Sequence, residues 1–368
     1  MDVVVTGIGL QSCLGSLAQS WASILAGKSG IKVQQPFTEL PPVPLGLINQ
    51  APSNLTDLTK LVVRAALKDA GLRVPLPDCA VAIGSSRGCQ NIWEEIVRAK
   101  TVGGNWLDIL PHQSAVTAAK LVQTTAPVLS PMAACATGIH AIARGYELIQ
   151  TGAFSRVIVG AVETPITRLS LAGFSRMGAL ATTGCYPFDQ NREGLVLGEG
   201  GAVFILETLA LAHSRKAKIY GKILGFGLTC DASSTTAPQG LSSEIAIKNC
   251  LKRSNLQPQD IHYIHAHGTS TKLNDYHEAQ LIEQLFNLSV AVSSTKGSTG
   301  HTLGASGAMG VAWCLMALDS GYLPPCVGLD KLDFKLNALK QTKQQPIKKA
   351  LCFSFGFGGQ NAVLALGK

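Results

Sequence analysis

The feature that most constrains this chain is that it runs through one series of elements twice. VVVTGIGL (3–10) reads as a strand ending in G-x-G-L, and KILGFGL (222–228) as its copy. AALKDAGL and LPDCAVAIGSS (65–86) give helix, turn and a strand into small residues; AIKNCLKRSNLQPQDIHYIHAHGTS (246–270) follows the same course. APVLSPMAACATGIHAIARGYELIQTG (126–152) is strand, small-residue loop and helix, answered by SVAVSSTKGSTGHTLGASGAMGVAWCLMALDSG (289–321). Each series closes on a glycine turn and a strand, GEGGAVFILE (198–207) and GFGGQNAVLALG (356–367). Any two matches alone would be weak, but the whole series in one order points to a duplicated unit. Strands alternating with helices make that unit α/β. The join falls in LALAHSRKAK (209–218), dividing the chain into 1–216 and 217–368.

Composition agrees with such a chain, much of whose length lies inside. Hydrophobic residues make up 46% and charged residues 15%, against about 25% charged in an average domain. The net charge of +8 suits an acidic protein partner, a membrane surface or nucleic acid. No aromatic-studded basic motif or zinc finger supports nucleic acid. The ten cysteines include no CxxC and read as reduced thiols of a cytoplasmic protein. MDVVVTGIGL reads as a strand and glycine turn, without the basic start of a signal peptide. Two stretches, 126–143 and 302–318, lack charge over a membrane-like length, but Gly, Ser and Thr run through both. Buried helices are the expectation there, with no membrane insertion.

Duplicated α/β units bring equivalent loops together at strand ends, where such folds place their chemistry. Here those loops carry Cys135 in one half and His267, Lys296 and His301 in the other. Cys135 lies in AACATG (133–138), directly before an Ala-rich helix. The helix dipole there favours the thiolate, and small neighbours leave room for substrate and free N–H groups for an oxyanion. On position alone, a buried inert cysteine is the alternative. His267 lies in HAHGTST (265–271), and Gly268, Thr269 and Thr271 suit a loop that hydrogen-bonds a polar ligand. His262 and His265 invite a metal reading, but 265 and 267 share a strand face that 262 does not, and no partner has zincin spacing. No metal is expected; His267 is either structural or catalytic. His301 and Lys296 share TKGSTGHTLGASG (295–307). GIG at 7–9 lacks the third glycine of a dinucleotide loop, so no nucleotide cofactor is expected. Lys60, Arg64 and Lys68 follow i, i+4 spacing and read as a solvated face, with an acidic partner's docking stripe as the sharper alternative.

Together these motifs resemble the β-ketoacyl-acyl-carrier-protein synthases of thiolase fold, most closely the elongating type with Cys-His-His chemistry. The resemblance spans nearly the whole chain: VVVTGIGL and LAGKSGI within 3–31, AACATGIHAI, YPFDQNREGLVLGEGGAVFILE (186–207), HAHGTSTKLND (265–275), TKGSTGHTLGASG and FSFGFGGQNA (353–362). It implies an α/β, thiolase-like fold of layered α-β-α-β-α architecture with two pseudo-equivalent halves. It implies further that Cys135 takes an acyl chain from a carrier-protein thioester, with its own N–H and that of Phe357 as the oxyanion hole. His267 and His301 would assist decarboxylation of a malonyl thioester, and Lys296 would order the His301 loop and the field at the thiolate. Thr269 and Thr271 would bind the phosphopantetheine arm, and Phe357 would swing as a gate between Gly356 and Gly358. No cofactor is implied; the partners are acyl carrier protein and a second copy of the chain.

The chain also departs from the family pattern. Material is missing after SGI (29–31) and between Leu180 and Tyr186; the first gap removes part of a basic segment near carrier-protein docking. Gly310 stands where elongating enzymes usually have a glutamate paired with the lysine, and Ala133 replaces a threonine. By the same resemblance, Arg87 in GSSRG (84–88) occupies a region beside the acyl pocket, where it either shortens or reshapes the pocket or points away from it, so acyl length stays open. Gly310 and Arg87 motivate a second reading, a polyketide or specialised-lipid ketosynthase. A third, a chain-length-factor-like partner subunit, conflicts with the retained Cys135, His267 and His301. A thiolase fits less well, since a His-His pair suits malonyl decarboxylation better than a second cysteine's chemistry.

Overall fold

Alternating and continuous apolar runs become one mixed sheet in the computed structural model, which describes residues 1–100, 106–232 and 241–368. The first half contributes β1 (Val3–Ser12), β2 (Ala80–Gly84), β3 (Val128–Leu129), β4 (Arg156–Glu163) and β5 (Gly200–Thr208). The second contributes β6 (Gly221–Cys230), β7 (Tyr263–His265), β8 (Ala291–Ser293), β9 (Lys349–Gly356) and β10 (Gln360–Gly367). Their order is β8-β7-β9-β10-β6-β1-β5-β4-β2-β3, with two short strands added, Asn337–Ala338 outside β8 and Gly15–Ser16 beside β1. Counted outward from the centre, each half runs first, fifth, fourth, second, third strand. The halves meet where Val3–Val5 pair antiparallel with Gly221–Ile223. The repeat read from the sequence is therefore a repeat of topology. β3 is shorter than the sequence suggests, because Pro127 and Pro131 flank it and a proline has no N–H for a ladder.

Six helices fix the layers: α1 (Leu55–Asp69), α2 (Thr137–Gln150), α3 (Arg168–Arg176), α4 (Leu241–Arg253), α5 (Lys272–Leu285) and α6 (Ser306–Ser320). Successive strand residues face opposite sides. Val157, Val159, Phe204 and Leu206 join the central core with α2 and α6, while Ile158, Val162, Val203 and Ile205 join an outer core under α1. In the second half Cys352 and Leu364 face the centre, and Leu351, Phe353 and Val363 face the outer core under α4 and α5. The result is the layered α-β-α-β-α arrangement. The apolar stretch Leu303–Ser320, long enough to cross a membrane, is 83% buried within it.

The G-x-G pairs of β1 and β6 have a packing role. A Cβ on Gly9 would lie 1.9 Å from the Val62 carbonyl oxygen, and one on Gly227 would lie 1.8 Å from that of Ala246. Only glycine lets α1 and α4 lie so close to their strands. The central helices meet in the same way: a Cβ on Gly138 of α2 would stand 2.4 Å from the Ala308 nitrogen of α6. This crossing sits in the first turn of both helices, so the loops leading into them arrive at one place.

Candidate active site

The Cys135 loop is a tight turn held from both sides. Ala134 adopts φ +46°, rare for a residue with a side chain. The Thr137 hydroxyl donates to the Ala134 carbonyl at 2.7 Å and accepts from the Ala133 N–H at 2.8 Å. Ser354 on β9 donates to the Cys135 carbonyl at 2.9 Å, tying the Cys135 loop to the other half. Cys135 thus enters α2 at its N-terminus, as expected. The expected thiolate does not follow, however. Burial pushes the thiol up to about 11, outweighing the pull of Lys296, Arg87 and the Phe357 N–H. In the free protein the group is a thiol at neutral pH.

The second half supplies two imidazoles. The His267 and His301 rings meet edge to face, with centroids 5.2 Å apart. The Cys135 sulfur and one ring nitrogen of each histidine lie within 4.8 Å of one another. That spacing serves a shared substrate atom and would equally serve a metal ion; His262 and His265 belong to no such group among the described residues. Burial, reinforced by the nearby Lys296 charge, holds both His267 and His301 well below the usual imidazole range. They are neutral at pH 7, and a neutral imidazole can donate one hydrogen bond and accept another. His301 Nδ1 lies 2.7 Å from the Ser306 hydroxyl. If that hydroxyl donates, the His301 Nε2–H is directed outward.

Buried carboxylates fix the histidine loop. Glu278 accepts from the N–H groups of His267 and Gly268 at 2.6 and 2.7 Å, and Asp275 accepts from those of Thr269 and Phe188, both at 2.9 Å. Lys296 donates to the His267 carbonyl. Burial lowers its affinity for a proton, and Glu278 is the main charge supporting the ammonium. The lysine therefore braces the His267 loop as well as preceding His301. Gly310, where a glutamate was the family expectation, faces a different neighbour: a Cβ there would lie 2.7 Å from Cys352 Sγ and 2.8 Å from His265 Nδ1. His265, pulled down to about 3 by burial and then by Lys296, fills that space as a neutral ring bonded to Thr295 at 3.1 Å.

Cys135, His267 and His301 open into one cavity of about 520 Å³, shared with Thr269, Thr271 and Phe357. The hydroxyls of Thr269 and Thr271 lie 2.9 Å apart on its wall. Phe357 is 38% exposed and stacks on Phe174 at 6.1 Å. Gly358 beside it has φ +74° with open space around it, but is not part of the wall. Lys296 and Arg87 are not part of the wall; Arg87 is exposed, its guanidinium carbon 5.9 Å from the centre of the Phe174 ring, which is part of it. Lys60 pairs with Asp57 at 3.4 Å, beside exposed Arg64 and Lys68. Sequence reasoning missed Glu278, Asp275, Ser306 and Glu163, whose buried carboxylate accepts from Ser85 Oγ and from the Ser86, Arg87 and Gly304 N–H groups; only the D-x-x-E spacing after HGTST offered a signal, for the first two.

Comparison with known proteins agrees with this geometry. The model of the beta-ketoacyl synthase N-terminal domain matches residues 50–212, and that of the C-terminal domain matches residues 220–330. A 3-oxoacyl-[acyl-carrier-protein] synthase 2 of Synechocystis sp. is 41% identical over 249 residues, which span 64% of this chain and 60% of that protein. One of the same name from Coxiella burnetii is 32% identical over 413 residues, spanning 100% of this chain and 98% of its own. Among solved structures, the ishigamide ketosynthase/chain length factor has a TM-score of 0.92 at 26% identity, covering 100% of this chain and 99% of that one. A type II PKS ketosynthase in complex with its acyl-carrier protein has a TM-score of 0.91, with the same identity and coverage.

Proposed function

We propose that this chain, which belongs to the β-ketoacyl synthase family, is a 3-oxoacyl-carrier-protein synthase that lengthens acyl chains by decarboxylating condensation. The observation that carries the reading is the Cys135–His267–His301 cluster at the floor of one cavity, in a chain alike end to end to a synthase of that activity.

The chemistry proceeds in two halves. Cys135 Sγ attacks the thioester carbonyl of an acyl carrier protein; the new C–S bond forms and the carrier thiol leaves with the proton. The oxyanion is met by the N–H groups of Cys135 and Phe357, the second of which is directed at the thiol. Because burial keeps the free thiol protonated, a neutral neighbouring imidazole takes its proton during attack. Malonyl carrier protein then enters, its pantetheine arm along Thr269 and Thr271. His267 and His301 donate to the malonyl thioester carbonyl as the C–C bond to carbon dioxide breaks and enolate charge develops. The enolate carbon attacks acyl-Cys135, Sγ leaves, and a 3-oxoacyl carrier protein departs. No step calls for a redox cofactor or metal. Phe357, on its glycine-flanked turn, swings aside to admit each thioester in turn.

The two functional halves are 1–216, with the nucleophile, and 217–368, with the histidines, lysine and gate. The net charge of +8 suits an acidic carrier protein. We place the protein in the cytoplasm, a reading supported by its ten unpaired thiols. We read it as a homodimer, supported by exposed Trp93, Val97 and Leu169 on two helices in contact, 90–99 and α3. Scattering measurements on the purified chain would separate this from an obligate heterodimer. A polyketide-type ketosynthase is the second reading, favoured by Gly310 facing His265 and by the polyketide ketosynthase among its structural relatives.

The test of the reading is intact-protein mass spectrometry after incubation with acyl carrier proteins of graded chain length. Acyl adducts on the wild type that are absent from Cys135→Ala are expected. No adduct at any length would reject the acyl-transfer step.

A further inference from the structure

We propose that His265 is a positioning residue for decarboxylation, its ring seated against Gly310 and holding the turn that aims Lys296 at the His267 carbonyl. The inference rests on the condensing reading above, which gives His265 no role.

His265 ends β7, and His267 follows two residues later. It is buried, and its backbone pairs on both sides, with Ser293 of β8 and Cys352 of β9. One ring nitrogen, Nε2, lies 3.1 Å from the Thr295 hydroxyl, and the other, Nδ1, has no partner among the described residues. A neutral imidazole carries its proton on one nitrogen only. The N–H therefore belongs on Nε2, where it has an acceptor, and Nδ1 keeps a bare lone pair. Thr295 is where that bond acts. Its carbonyl accepts from the Ser298 and Thr299 N–H groups at 2.9 and 3.1 Å, which opens the single-turn helix Lys296–Thr299. Among the described residues its hydroxyl bonds to His265 alone.

The next residue is Lys296, whose ammonium donates to the His267 carbonyl. His265 thus holds both ends of that bridge, one through the chain and one through Thr295. A lysine has a flexible four-carbon stem, so the direction of its turn decides where Nζ lies. The neutral ring suits the place as well. It sets no second cation beside Lys296, whose ammonium has Glu278 as its main support. Gly310 forms the seat. A Cβ there would lie 2.8 Å from Nδ1 and 3.1 Å from Cε1 of the ring, and 2.7 Å from Cys352 Sγ. Gly310 lies inside α6 and is not among the glycines of positive φ, so the backbone does not call for glycine. Its missing side chain serves the ring, which a Cβ would push away from Thr295.

The test reads two rates on the purified protein: carbon dioxide release from malonyl carrier protein, and acyl transfer to Cys135 by intact-protein mass spectrometry. His265→Leu keeps bulk but loses the bond to Thr295. It is expected to lower kcat for release about tenfold, with KM and acyl transfer changed by less than about twofold. His265→Gln, whose amide reaches as far as Nε2 and can donate to Thr295, is expected to restore release to within about threefold of the wild type. Thr295→Val should match His265→Leu, and the pair should be no slower than either alone, because both remove one bond. Gly310→Ala should fall to the same level by displacing the ring. If His265→Leu does not fold, Thr295→Val and Gly310→Ala read the same bond. Unchanged release in these variants would overturn the proposal, as would losses that multiply in the pair. Equal losses in release and acyl transfer, or no recovery in His265→Gln, would reduce His265 to packing and overturn it too. A wild type that releases no carbon dioxide would sink the condensing reading and the proposal with it, a different failure from a wild-type rate indifferent to His265.

Discussion

Two loops at matching places in the repeated topology meet at the candidate site, and they carry different residues. The loop between β3 and α2 takes 7 residues, 130–136, to deliver Cys135; the one between β8 and α6 takes 12, 294–305, and delivers Lys296 and His301. Their helices cross at Gly138 and Ala308, so both loops end at the same point. A second pair is matched as well: the loops after β2 and β7 are each held by buried carboxylates, Glu163 for one and Glu278 with Asp275 for the other. The duplication thus supplies a frame, and the loops supply the function. On the proposed function, the short loop supplies the nucleophile and the longer one proton-bearing groups.

If that division holds, Cys135→Ala abolishes condensation, by roughly 10³-fold or more, measured as 3-oxoacyl product from acyl and malonyl carrier proteins. His301→Ala, on the other side, should slow carbon dioxide release from malonyl carrier protein by about 10²-fold or more. It should change acylation of Cys135 much less, and a selective loss of acylation would reverse the assignment. Glu278→Ala should unfold the frame beneath His267, because it strips two backbone N–H groups and the buried Lys296 of their carboxylate. A loss of about 3–5 kcal/mol is expected in denaturant titration.

The chemistry of the thiol offers a finer test. With its pKa pushed up to about 11, the reactive thiolate fraction rises about tenfold per pH unit from 7 to 10. Alkylation of Cys135 by iodoacetamide should climb with that slope, and a plateau below pH 9 would mean a preformed thiolate. The smallest effect belongs to Ser306→Ala, which removes the hydroxyl that orients His301. A loss of about tenfold in decarboxylation is expected, corresponding to one hydrogen bond of about 1.4 kcal/mol, with the acylation rate unchanged.

The frame was legible because its signals are local. Gly9 and Gly227 stand in matching motifs, and strand alternation sorts Val157 from Ile158 and Leu351 from Cys352 into different cores. The cluster of Cys135, His267 and His301 was legible because each lies in a long, distinctive loop motif. What stayed hidden depends on contacts across the chain. Glu163 lies 78 residues from Ser85 and 141 from Gly304, so nothing in its own strand marks it as a clamp. The thiol's protonation state is hidden for a similar reason: the helix end is visible in AACATG, whereas the desolvation that outweighs it comes from Leu195, Leu303 and Phe174, far along the chain.

The most direct measurement is carbon dioxide release from malonyl carrier protein by Cys135→Ala. If the histidine half performs decarboxylation, release continues although condensation has stopped. If release stops with the sulfur removed, the two loops do not divide the chemistry, and His267 and His301 do not act as decarboxylating groups on their own.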